Sequence, residues 1–257
     1  MRSTDEILAE LNALDRSVKA PYYRPRDAAT LLILDRTGDG TLRVLMGRRH
    51  MRHRFMPGAW VFPGGRVDPA DSRIVVGDDY RADVLGDLMH DMKGPKTAAR
   101  ARAMAIAAIR ETWEEAGVLI GRPSGAARAA EPADPHDAFA TFAAQGLEPS
   151  LSAMRFVARA ITPPGRPRRF DTRFLAVPAE AIGGRAASGV GPSGELEDVA
   201  WVSFAEARAR PELMPITRAV LDELERRLLD DPHLDAVAPV PFYRWIGNRF
   251  RRFEIRT

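Results

Sequence analysis

Three carboxylates and an arginine stand together in Arg110-Glu111-Thr112-Trp113-Glu114-Glu115-Ala116-Gly117. On a helix, turned by about 100° per residue, Glu111, Glu114 and Glu115 fall within a sector of roughly 100°. Ile106, Ile109, Trp113 and Ala116 fall in a sector of about 80° on the opposite side. One face therefore packs and the other displays acid. Like charges at these spacings repel, and the C-terminal end of a helix disfavours anions, each by a few tenths of a kcal/mol. A hard divalent cation reverses that balance, because magnesium takes oxygen ligands from carboxylates, water and phosphate. Standing alone, the same pattern also describes a solvated acidic face with no chemistry.

The elements around this helix are legible in outline. Thr97 can cap its start and Gly117 can end it as a left-handed residue. Upstream, 28–34 is an apolar run suited to a buried strand, 35–40 a turn, and 42–46 the return strand. An arginine-rich stretch covers 48–54. A short strand, 60–62, then ends in Pro63-Gly64-Gly65. Two glycines let backbone amides and carbonyls approach a metal or phosphate closely. The N-terminus predicts a helix over 4–16 capped by Ser3 or Thr4, after which Pro21 and Pro25 break the chain. Residues 72–96 read as an irregular interlude with a helix near 80–92. A loop is expected over 121–135, helical pieces over 136–145 and 150–156, and a strand over 170–177. A glycine-rich loop at 183–194, a strand at 199–202, a short helix capped by Ser203 and a longer helix at 217–229 follow. The tail, 239–257, interleaves arginine with aromatics. Docking on the domain or on a second copy is the favoured reading of it, ahead of stacking on bases. The alternation of strands and helices favours one mixed α/β layered domain over 1–257, with helical additions at 72–96 and 121–156.

Composition narrows the function classes. The 257 residues are 45% hydrophobic and 28% charged, an ordinary globular balance. No apolar run is long enough for a transmembrane helix, and no signal-peptide core follows Met1, so a cytoplasmic protein is expected. There is no cysteine, which excludes disulfides, thiol nucleophiles and thiolate-held zinc. The net charge is +3, and Lys19, Lys93 and Lys96 are the only lysines. Arginine supplies the rest of the positive charge and pairs bidentately with carboxylate and phosphate. A global arginine bias also follows from base composition, so only local clusters carry an argument.

The segment Arg110–Val118, together with Gly64-Gly65, resembles the Nudix hydrolase signature G-x5-E-x7-R-E-U-x-E-E-x-G-U, where U is a bulky aliphatic residue. Thr112 replaces one aliphatic residue. Gly65 precedes Arg110 by 45 positions where the signature has 14, so 31 extra residues split the box. The first glutamate of the box is absent; Asp71 stands at its distance from Gly65, and Arg102 at its distance from Arg110. The stretch Glu195-x-x-Asp198-x-x-Trp201 resembles the acidic loop that precedes the last helix of many members, where an acid sometimes acts as general base. The strand around Phe170-Asp171-Thr172-Arg173-Phe174 resembles one in larger split-box members related to peroxisomal coenzyme A diphosphatases. Leu45, Arg49, Arg54, Gly58 and Phe62-Pro63-Gly64-Gly65 match L-L-T-x-R-[SA]-x3-R-x3-G-x3-F-P-G-G, a pattern of coenzyme A-directed members.

The resemblance implies an α/β/α sandwich with a mixed sheet. It implies Mg²⁺- or Mn²⁺-dependent attack of water on a diphosphate. Glu111, Glu114, Glu115 and the Gly65 carbonyl would hold metal, and Arg110 would orient Glu111. Glu195 and Asp198 are candidate general bases. Arg48, Arg49, Arg54 and the Gly64 backbone would meet a polyanionic substrate. Arg166, Arg168, Arg169 and Arg173 form a second cluster, for which a surface role is favoured. The expected substrate is a nucleoside diphosphate linked to another moiety, with coenzyme A or acyl-CoA first. ADP-ribose, NADH or another dinucleotide is the runner-up. A Nudix fold used as a non-catalytic ligand-binding regulator is the alternative of another class. No membrane or nucleic-acid partner is expected, and a homodimer stays open.

Overall fold

The computed structural model describes residues 2–14, 20–52 and 56–256. Its centre is a mixed sheet built on β1 (Arg26–Arg36). One neighbour of β1 is β2 (Leu42–Arg49), antiparallel; the other is β8 (Phe170–Pro178), parallel. Beyond β8 lie β7 (Arg155–Ile161), β11 (Val240–Ile246) and β12 (Arg249–Ile255); beyond β2 lies β10 (Leu196–Ser203). The short strands β3 (Trp60–Val61) and β4 (Gly64–Arg66) pair with β2 and β1. A small second sheet joins β5 (Val118–Pro123), β6 (Leu147–Pro149) and β9 (Ile182–Arg185).

The uninterrupted apolar run in β1 follows from cover on both faces. Leu31 and Ile33 point into one core and Leu32 and Leu34 into the other. The first core is closed by α3 (Ala98–Ala116), with α2 (Ala82–Met89) and α4 (Ala138–Ala144) beside it. The second is closed by α1 (Thr4–Asn12), α5 (Phe204–Ala209) and α6 (Pro215–Asp230). Helices on both faces of a mixed sheet make the expected α/β/α sandwich. Ser3 caps α1 through a reciprocal pair with Glu6, and Ser203 does the same for α5 with Glu206.

Four expectations change. Residues 150–156 are not helical: a turn leads into β7, an interior strand. Its inner residues are buried on both faces, and Arg159 among them breaks any apolar pattern. The loop expected from 121 begins as β5, and the glycine-rich segment at 183 begins as β9; each pairs with the other. The 121–156 addition thus holds one short helix between strands. The tail is not an appendage. Its strands β11 and β12 form a hairpin through Gly247-Asn248, both at positive φ, and β11 runs parallel to β7. It docks on this domain as the last two strands of the main sheet. The helix expected over 4–16 is described to Asn12, and residues 15–19 lie outside the described residues.

Candidate active site

The signature helix is α3, 19 residues and about 28 Å long. Thr97 caps its start, accepting from Arg100 N, and Gly117 ends it at φ 66. Thr112, where an aliphatic residue was expected, is buried and donates its hydroxyl to the Ala108 carbonyl at 2.7 Å, so the site loses nothing by burying it. The insertion leaves after a 3₁₀ turn at Pro69–Arg73 and returns at Thr97. It lays α2 against the N-terminal half of α3, with Val84, Leu88 and Met92 in the shared core. The two halves of the split box therefore remain neighbours.

Strand β4 brings Gly64 and Gly65 under the acidic end of α3. Gly64 N–H donates to Glu115 Oε2 at 2.9 Å. A Cβ on Gly64 would stand 2.6 Å from the Ala29 carbonyl of β1, so that position admits no side chain. A Cβ on Gly65 would stand 2.4 Å from the Glu111 carboxylate. Glu111 is half-buried, Glu114 partly exposed, and Glu115 only 2% exposed. The face that the helical wheel assigns to solvent is thus turned onto β4. Burial pushes Glu115 up to about 8; the Gly64 hydrogen bond and the Arg49 charge oppose this, and the charges of Glu111 and Glu195 add to it. Glu111 is raised as well, by burial first, with the Arg110 charge and hydrogen bond in opposition.

Asp71, which stands at the spacing of the missing box glutamate, meets Arg110. It is 2% exposed and accepts from Arg110 Nε at 3.0 Å and Nη2 at 3.3 Å. Arg110 Nη1 donates to Glu111 Oε1 at 2.8 Å and reaches Glu114 at 3.4 Å, while Nη2 donates to the Arg66 carbonyl at 3.1 Å. Asp71 also accepts from Asp68 N, which fixes the 3₁₀ turn. One guanidinium thus ties the turn, β4 and two of the three glutamates.

The sequence-derived arginines separate. Strand β2 runs three residues past its expected end, and its side chains alternate. Leu45 lies in the α3 core and Val44 and Met46 in the opposite one, which puts Arg49 on the α3 face and Arg48 on the other. Arg49 stands 4.0 Å from Glu115 and 3.7 Å from Glu195. Its backbone is held on both sides: Arg49 N donates to the Ala59 carbonyl and Gly58 N to the Arg49 carbonyl, each at 2.9 Å, with Gly58 at φ 73. Arg48 pairs instead with Asp198 at 2.8 Å and Glu197 at 3.5 Å. Of the arginines expected to meet the substrate, Arg48 thus stands apart from Arg49, paired with acids on the other face of β2. Arg54 lies outside the described residues.

The two candidate bases separate for a related reason. A bulge between Glu197 and Ala200 puts Asp198 at φ 52, where it meets Arg48. Glu195, half-exposed, acts electrostatically on both Glu111 and Glu115. The loop before it wraps the C-terminus of α3. Ser193 N donates to the Glu114 carbonyl at 2.9 Å and Ala186 N to the Gly117 carbonyl at 2.7 Å, satisfying helix-end acceptors. A Cβ on Gly191 would stand 2.3 Å from the Glu114 carbonyl. The glycines of that loop are its only sequence signal.

Glu111, Glu114, Glu115, Asp71 and Glu195 thus face Arg110 and Arg49, five carboxylates against two guanidiniums. Among the described residues no three acidic or histidine side chains already converge as a finished metal centre, since Glu114 leans on Arg110. The donor set still fits a hard divalent cation: all oxygens, an excess of negative charge, and a buried carboxylate, Glu115, held on the Gly64 N–H. No helix is long and apolar enough to cross a membrane among the described residues.

No family model matches the chain. It is 32% identical to a Caenorhabditis elegans protein whose name places it among the nudix hydrolases, over 58% of this chain and 43% of that one. It is 29% identical to the acyl-coenzyme A diphosphatase NUDT19 of Homo sapiens, over 52% of this chain and 47% of that one. The chain therefore matches less than half the length of either curated relative. A NUDIX hydrolase from Alicyclobacillus acidocaldarius superposes with a TM-score of 0.57 at 29% identity, covering 77% of this chain and 90% of that one. The split box, the sandwich and these likenesses agree: the chain is similar to the Nudix hydrolases in signature and in fold.

Proposed function

We propose that the protein is a divalent-metal-dependent diphosphatase. Its substrate would be a nucleoside diphosphate linked to another moiety, of the coenzyme A or acyl-CoA type. The observation that carries this reading is the placing of Glu115 and Glu111 against Gly64 and Gly65, in a site with more acid than base. The substrate class is supported by the Leu45 to Gly65 pattern and by the name of the human relative.

Glu111, Glu114, Glu115 and the Gly65 carbonyl would hold Mg²⁺ or Mn²⁺. When bound, the cation would neutralise phosphate oxygens and make an attacking water more acidic. The chain's own groups supply the rest. Arg110, held by Asp71, keeps Glu111 turned toward Gly65. Gly64 N–H fixes one oxygen of Glu115. Arg49 offers its guanidinium to a phosphate at the mouth of the site. Glu195, beside Arg49, is the better placed of the two candidate bases to take the proton from water. Water would add to one phosphorus, the bridging P–O bond would break, and two phosphate monoesters would leave.

The test is hydrolysis of acyl-CoA, coenzyme A, ADP-ribose and NADH with Mg²⁺ or Mn²⁺, for wild type and Glu114→Gln. Metal-dependent turnover that the variant loses by 100-fold or more is expected. Folded wild type inert on every member would leave a ligand-binding regulator in its place. Turnover unchanged in the variant would remove the site assignment.

A further inference from the structure

Beside β4, the segment before β1 and the turn before β8 enclose a cavity of about 860 Å³. Five guanidiniums line it: Arg24, Arg26, Arg66, Arg168 and Arg169. No carboxylate lines it, and of its lining residues Arg66 alone is bonded to the glutamate site, through its backbone carbonyl and Arg110. Elsewhere the chain spends its arginines on acids, as in Arg100–Asp27 at 2.6 Å, Arg159–Asp171 at 2.7 Å and Arg208–Asp222 at 2.8 Å. Here it does not. Among the described residues Arg24, Arg26 and Arg168 have no acidic partner, and Arg66 reaches only Asp68, at 3.9 Å.

Arg169 makes the cavity a built feature rather than a solvated patch. It is 7% exposed, yet its guanidinium donates to neutral carbonyls only, those of Thr162 at 3.0 Å and Tyr23 at 2.7 Å. Its face stacks on the Tyr22 ring at 5.0 Å. A buried cation without a counter-charge is costly, and four further cations around it raise that cost. A multivalent anion would offset both, and phosphate suits the guanidinium fork. The volume accommodates a nucleotide-sized ligand. Tyr23, 47% exposed at the rim, offers a ring for a base to stack on.

We infer that this cavity is a second, metal-independent binding site for a polyphosphate group, free or carried by a nucleotide. It gives a place to Arg168 and Arg169 of the second arginine cluster. Arg173 is excluded from it, being fully buried between Asp27 and Asp171.

Calorimetric titration of the full chain in EDTA with inorganic tripolyphosphate, and separately with pyrophosphate and with ADP, tests the assignment. Saturable binding that weakens with added salt is expected. The double variant Arg26→Ala/Arg168→Ala, both surface positions, should lose at least tenfold in affinity while still unfolding at the wild-type temperature. Glu114→Gln should bind as wild type does. ADP bound more tightly than pyrophosphate assigns the base to Tyr23, and equal affinities assign the site to the phosphate chain alone; both support it. No binding without metal, undiminished binding in the double variant, or loss in Arg49→Ala would overturn it. So would binding of a single-stranded oligonucleotide without binding of tripolyphosphate.

Discussion

Arg110 and Asp71 stand 39 positions apart in the chain and form an ion pair at 3.0 Å beneath the acidic end of α3. The pair is nearly buried, with Asp71 at 1% side-chain exposure, and Arg110 carries it onward to Glu111. Removing one partner of such a pair costs about 3–5 kcal/mol. Asp71→Ala should therefore lower stability by that order in a denaturant titration. Turnover should fall more than tenfold, with KM less affected, because Glu111 loses its support. Asp71→Glu, the residue type of the signature, should recover most of the turnover.

Gly65→Ala isolates the close approach of β4 to the helix. Its methyl would stand 2.4 Å from the Glu111 carboxylate. Glu111 can swing away, so thermal stability should change by no more than about 1 kcal/mol, while kcat should fall at least 100-fold. Retained turnover would mean that the carboxylate need not touch the strand.

Glu195→Gln and Asp198→Asn separate the two candidate bases. Glu195 faces the glutamates and Arg49, whereas Asp198 is tied to Arg48 on the other face of β2. The first substitution should lower kcat by 10² to 10³, a range typical of losing a positioned base. The second should leave kcat within about threefold. The reverse order in kcat would exchange their roles.

Added metal should stabilise the folded chain, since a ligand bound only by the native state raises its stability by mass action. Millimolar Mg²⁺ should raise the unfolding temperature of wild type relative to EDTA. The increment should shrink in Glu115→Gln. The same variant in EDTA should be more stable than wild type at neutral pH, because it removes a carboxylate that burial disfavours.

Asp171 sets an acid limit. Burial pushes its carboxyl up, but the Arg159 hydrogen bonds and the Arg173 and Arg159 charges outweigh that and hold it below the usual carboxylate range. A lowered folded-state value means stability that is complete above the unfolded-state value near 3.8 and lost as pH falls through the lower, folded one. Wild type should thus lose stability below about pH 4. Asp171→Asn should cost about 3–5 kcal/mol at pH 7 and flatten that acid limb in a pH-dependent denaturation series.

What the sequence determined by itself was local. The i, i+3, i+4 glutamates, the Thr97 and Gly117 ends of α3 and the Gly64-Gly65 pair all depend on residues within a few turns, and periodicity reads them directly. Tertiary structure decided which of these groups meet. Strand β2 extends to Arg49, so alternation sends Arg48 and Arg49 to opposite faces. A bulge turns Asp198 to Arg48 and leaves Glu195 by the glutamates. Strand β7 hides its place in the sheet because both its faces are buried and Arg159 interrupts it. The hairpin of 239–257 reads as a tail because the strand it pairs with lies some 80 residues earlier, a separation no local pattern reports. The Arg110–Asp71 pair is of the same kind. Spacing marked Asp71 as a weak substitute for glutamate, and only the fold, by closing the chain across the 72–96 insertion, showed the buried contact it makes.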